Sequence, residues 1–176
     1  MNSWIYARRN LKELINDLLS LAFTIVLPAF LLIIMVSLNN KLQFSSSYKP
    51  ENFVPATIIF SYAFLTMFFG MLIAKDRDSS FLSRMFVSPL KSYNYILGYI
   101  IPLLIIAFIQ ALLIYIIGFT MGLSFTMNII ASIPFLLLIA LFFIGLGLLM
   151  GSILKDQQVG PISSILVQIV AFMSGM

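Results

Sequence analysis

Neither cysteine nor histidine occurs anywhere in the sequence. Without cysteine there are no disulfides and no thiolate metal sites; without histidine there is no Ser–His hydrolase and no histidine-ligated haem. No GxxxxGK[ST] phosphate loop is present, so the chain does not hold ATP in the usual way. Charge is scarce as well. Ten basic and six acidic side chains make up 9% of 176 residues, whereas a soluble domain carries roughly a quarter. What fills the chain is hydrocarbon: 61% of the residues are hydrophobic and mean hydropathy is +1.09. Apolar runs longer than the ~18 residues of a membrane-crossing helix follow one another, which predicts an integral membrane protein. The net charge of +4 is small and scattered, and nucleic acid is not an expected partner.

The few charges draw the map. Residues 18–40, 52–74, 92–154 and 157–176 contain none. As a single helix the third interval would be about 95 Å long, against a hydrocarbon core of ~30 Å, so it crosses twice. Its break falls at "GFTMGLSFTMN", where Gly118, Gly122, Ser124, Thr126 and Asn128 supply turn chemistry. Five spans are predicted, at about 18–38, 53–74, 96–117, 129–151 and 159–174. Lipid leaves open sheet edges unsatisfied and the alternation of a barrel is missing, so the fold class is all-α, one transmembrane domain over residues 1–176. With the N-terminus in the cytoplasm of a multi-pass plasma-membrane protein, Arg8, Arg9, Lys12, Lys75, Arg77, Arg84, Lys91 and Lys155 lie inside and only Lys41 and Lys49 outside. Ahead of the first span, residues 3–17 carry Trp4, Ala7, Leu11, Leu14 and Ile15 at helical spacing, with Arg8, Arg9, Lys12, Glu13 and Asn16 opposite. That pattern predicts an amphipathic helix in the membrane interface, Trp4 at headgroup depth. Pro28 is expected to kink the first span, while Pro55, Pro102, Pro134 and Pro161 are expected near helix starts, where a missing N–H matters little.

Six of the charged residues gather in "AKDRDSSFLSRMFVSPLKSY", residues 74–93. On a helix, Phe81, Leu82, Met85, Phe86, Pro89 and Leu90 form one apolar stripe, with Ser80, Ser83, Arg84 and Ser88 facing away. Such a helix can lie on lipid as a connector, bind anionic lipid, or lodge in the groove of a cytoplasmic partner; Asp76 and Asp78 weaken the lipid reading. The spans themselves hold no ionisable side chain, which argues against an ion-coupled carrier, although unwound backbone could still bind sodium. Energy for uphill transport would then come from another protein.

The same stretch resembles the cytoplasmic loop of permeases of the second type of ABC exporter, whose pattern runs roughly E-R-E-x-G-T-L-E-R-L-x-x-T-P-L-S-x-x-x-I-L-x-G-K. Asp76, Arg77 and Asp78 stand at the charged lead, Leu82 and Arg84 near L-x-R, Ser88-Pro89-Leu90 at T-P-L, and Ile96-Leu97-Gly98 at I-L-x-G with one residue of spacing lost. Ser79-Ser80 replaces Gly-Thr, and Tyr99 replaces the lysine. "GLGLLMGSILKDQQVGPISSIL" resembles the family's turn between the fourth and fifth spans, with Gly145, Gly147, Gln157 and Gln158 in place. The resemblance implies a permease subunit, not itself an enzyme, whose loop is a coupling helix touching a separate ATPase subunit through Asp76, Arg77, Asp78, Ser79, Phe81, Leu82, Arg84 and Met85. ATP and Mg would be bound by that partner, with no cofactor in this chain, and the permease would pair with a second permease as a homo- or heterodimer in the lipid bilayer. An uncharged route suits export of an amphiphilic, lipid-like or drug-like cargo. The alternatives are a non-transporting assembly or scaffold subunit and a secondary carrier.

Gly145, Gly147 and Gly151 make a candidate helix-packing face. Gln110 and Gln168, the strongest polar groups deep in the spans, are expected to hydrogen-bond another helix or to face the cargo route. Tyr93, Tyr95 and Tyr99 are expected in the inner aromatic belt. The related permeases have a sixth span after the Ser-Gly at the end of "AFMSGM", so the chain is expected to lack the family's last helix.

Overall fold

The computed structural model describes residues 3–42, 46–79 and 92–174. These form six α-helices: α1 (Ser3–Asn16), α2 (Leu18–Leu42), α3 (Pro50–Asp78), α4 (Ser92–Thr120), α5 (Met127–Ile153) and α6 (Asp156–Met173), with a single 3-10 turn at Ser46–Tyr48. There is no strand among the described residues. Four of the helices, α2 to α5, are long and apolar enough to cross a membrane. The fifth expected span falls on α6, which has 18 residues but begins Asp156-Gln157-Gln158 and is not among those four.

Helix α3 is the axis of the bundle. It packs against α2, α4, α5 and α6, and 61% of its apolar window is buried inside the protein, against 22% for α5. Phe53, Val54, Ile58, Tyr62, Phe69 and Ile73 carry its buried surface. Large apolar side chains on the outer faces of the other helices, such as Val26, Phe30, Phe135 and Leu138, are exposed, as lipid-facing positions should be.

Helix α4 starts at Ser92, ahead of the expected 96, which makes Pro102 its eleventh residue rather than a start residue. The turn after α4 is a Schellman closure: Leu123 N–H donates to Gly118 O at 2.9 Å and Gly122 N–H to Phe119 O at 3.2 Å. Gly122 sits at φ +100°, where a side chain would be strained. Gly118 belongs to the helix instead, where an added Cβ would come within 2.7 Å of Val54 Cγ2.

Helix α1, expected from the sequence at the membrane interface, is packed on protein. It packs chiefly on α4, burying Ala7 and Asn10 and half-burying Leu11 and Leu14, while Ile15, placed on the apolar side by the sequence pattern, is 50% exposed. The Trp4 side chain lies outside the described part of the structure.

Candidate functional site

The charged stretch begins in the last turn of α3, where three consecutive side chains take three different directions. Asp76 turns inward, with its side chain 5% exposed. Arg9 Nη2 of α1 lies 3.2 Å from its Oδ1, and the Tyr99 hydroxyl of α4 donates to its other oxygen. Arg9 Nη2 is also 3.0 Å from Glu13 Oε2, one helical turn along α1. A carboxylate this buried is costly unless paired and hydrogen-bonded, and here both conditions are met by elements distant in sequence.

Arg77 points sideways, to the end of α5. Its Nη1 donates to Ser152 O at 2.5 Å and its Nη2 to Leu154 O at 2.7 Å. The last carbonyls of a helix have no partner within it and carry the negative end of its dipole, so a guanidinium suits them. Asp78 faces outward, its side chain half-exposed and 3.5 Å from Arg77 Nε, and Ser79 is exposed where the helix ends. Phe81, Leu82, Arg84 and Met85, with the rest of the expected coupling helix, lie outside the described residues.

On the far side of the stretch, Tyr99 is buried against Phe69 and Tyr95, with ring centroids 5.8 and 4.9 Å apart. Only Tyr93 of the three tyrosines is exposed. Tyr99 thus departs from the aromatic-belt reading, because its hydroxyl is engaged by Asp76. Asn10 of α1, 1% exposed, donates from Nδ2 to Gly98 O at 3.1 Å. Both roots of the loop, the end of α3 and the start of α4, are therefore gripped by α1.

The remaining sequence-derived positions separate. Gly147 and Gly151 lie in the α3–α5 contact: a Cβ on Gly151 would be 2.5 Å from Gly70 O, and one on Gly147 2.8 Å from Phe69 Cδ1. Gly145 is exposed and meets nothing. Gln110 is fully buried and donates to Thr24 O of α2 at 3.4 Å. Gln168 is exposed on α6. Gln158 Oε1 accepts the Lys155 N–H at 3.3 Å, capping the start of α6. Sequence reading missed Arg9, Glu13 and Asn10. No charge imbalance signalled them, since α3 ends with Lys75 and Arg77 beside Asp76 and Asp78.

Beside this cluster a groove of about 660 Å3 opens between α1, α3 and α6. Its lining includes the apolar Leu65, Phe68 and Leu72 and the charged Glu13, Lys75 and Asp156.

A sequence model of the ABC-2 type transporter family matches residues 2–176. No curated protein and no solved structure matches the chain.

Proposed function

The chain belongs to the ABC-2 type transporter family, and from that membership we propose that it couples ATP hydrolysis by a separate ATPase subunit to export of an amphiphilic cargo. It is a multi-pass permease subunit of an ABC transporter, a transport component rather than a catalyst. In the proposed arrangement the N-terminus is cytoplasmic, α6 acts as a fifth span alongside α3, and two permeases enclose the route. The loop between α3 and α4 docks on the ATPase through the stripe Phe81, Leu82 and Met85, with Asp78 and Ser79 at its base.

The observation that carries the reading is how the loop is rooted. Asp76 is tied to α1 and α4, and Arg77 to the end of α5. A push on the loop reaches three elements through charge-assisted contacts, which suits a lever more than a passive connector. The groove, lined by both apolar and charged side chains, supports an amphiphilic cargo.

The test is co-purification with the ATPase and ATP-dependent transport in vesicles by Phe81→Asp, Leu82→Asp and Met85→Asp. Each variant is expected to insert normally, release the ATPase and stop transport, because a charge in an apolar docking groove costs several kcal/mol. Undiminished co-purification by all three would end the coupling role.

A further inference from the structure

Among the described residues five prolines sit inside helices, and each removes the N–H that would bond the carbonyl four residues earlier. For Pro55, Pro134 and Pro161 the freed carbonyls belong to Glu51, Ile130 and Gln157, all on exposed residues in the first turn or so of their helices. Water or headgroups reach those positions. Pro28 and Pro102 differ. They free the carbonyls of Thr24 and Gly98, both residues buried and well inside α2 and α4. A carbonyl buried away from water needs a donor from elsewhere.

Both donors are present, and both are side-chain amides from a neighbouring helix. Gln110 Nε2 of α4 reaches Thr24 O at 3.4 Å, and Asn10 Nδ2 of α1 reaches Gly98 O at 3.1 Å. Each amide is turned with its nitrogen to the carbonyl, the only orientation that an acceptor tolerates. In each case the amide oxygen is buried and lacks a partner among the described residues. Among the described residues, neither amide oxygen therefore adds a second bond to hold its side chain in place.

We propose that Asn10 and Gln110 are latches over proline hinges, each supplying the hydrogen bond that Pro102 and Pro28 cannot, so that release of a latch frees its helix to bend. The two latches differ in reach. Gln110 lies deep among spans and joins α4 to α2. Asn10 belongs to the short helix α1, at the level of the charged loop roots, and lets go of Gly98 O when α1 shifts on α4. The segment Ser92–Gly98, which enters from the loop, then swings about Pro102. Motion of α1 and bending of α4 are one event.

The test is a pair of double-mutant cycles read by thermal unfolding and by spin-label distance. Asn10→Leu and Gln110→Leu each remove the amide donor and are expected to lower the unfolding midpoint by several degrees. In the backgrounds Pro102→Ala and Pro28→Ala the helix regains its own N–H, and the same substitutions are expected to cost nothing. Spin labels on Tyr93→Cys and Thr120→Cys, in a chain without cysteine, span α4 on both sides of Pro102. Asn10→Leu should shift the bent fraction about threefold, the weight of a typical interhelical hydrogen bond in a membrane, and Pro102→Ala should restore a single distance. Equal loss with and without each proline, or a distance unchanged by Asn10→Leu, overturns the proposal. The Asn10–Pro102 cycle decides alone should Gln110→Leu fail to insert.

Discussion

Helices α3 and α5 meet twice, by opposite means. From Phe143 to Gly151 they touch through glycine, where Gly70, Gly147 and Gly151 bring the two backbones together and Thr66 Oγ1 donates to Phe143 O at 2.8 Å. At the loop end they touch through Arg77 and the carbonyls of Ser152 and Leu154. Lipid is as apolar as leucine, so nothing hydrophobic drives two spans together in mid-membrane, and close shape must do it. At the loop end, with Arg77 30% and Arg9 36% exposed, water competes for every bond. The first contact is a fixed point that cannot slide without steric clash. The second can be exchanged for water and remade. A lever needs both.

The largest effect should come from filling the fixed point. Gly151→Val places carbon against the Gly70 carbonyl, backbone that cannot step aside, and should cost about 3 kcal/mol or more, seen as loss of a folded peak in detergent chromatography. Next is Asp76→Ala, which strips Arg9 and Tyr99 of their shared acceptor. About 2 kcal/mol is expected, short of a fully buried pair because Arg9 keeps water and Glu13, with the drop in thermal midpoint as the readout. Arg77→Ala should cost about 1 kcal/mol through the uncapped α5 end, with Arg77→Lys recovering part of it. Its clearer sign is faster amide exchange over residues 150–154. Smallest is Gly145→Ala, where an added methyl meets open space; stability within about 0.5 kcal/mol of the parent would set the glycine contact at Gly147 and Gly151 alone, and a large loss would extend it.

What could be read ahead of the structure follows from the same division. Helices were legible because charge-free intervals of a given length have one physical solution in lipid, and α2 to α5 occupy them. Gly122 was legible as a turn because its neighbours Ser124, Thr126 and Asn128 advertise one. Contacts were not legible. Tyr99 looks like a belt tyrosine until Asp76 is found beside it, and Arg9 looks like a headgroup-facing cation until α1 is seen lying on α4. Nothing in a one-dimensional pattern distinguishes Gly145 from Gly147 either, since only the helix opposite decides which of them faces Phe69. Pro102 was misplaced for a local reason: α4 begins at Ser92, and four extra residues turn a harmless start position into an interior one.

Between α1 and α2 stands a single residue, Asp17, whose N–H still bonds Glu13 O at 3.1 Å. There is no spare chain at that elbow. One rod of 14 residues, about 21 Å, and one of 25, about 38 Å, share a joint without slack. Any tilt imposed on the short arm must be taken up by the long arm or absorbed along it at Pro28. In the proposed arrangement, with α1 at the membrane interface, bilayer thickness and lipid packing would therefore act on this permease as a mechanical load.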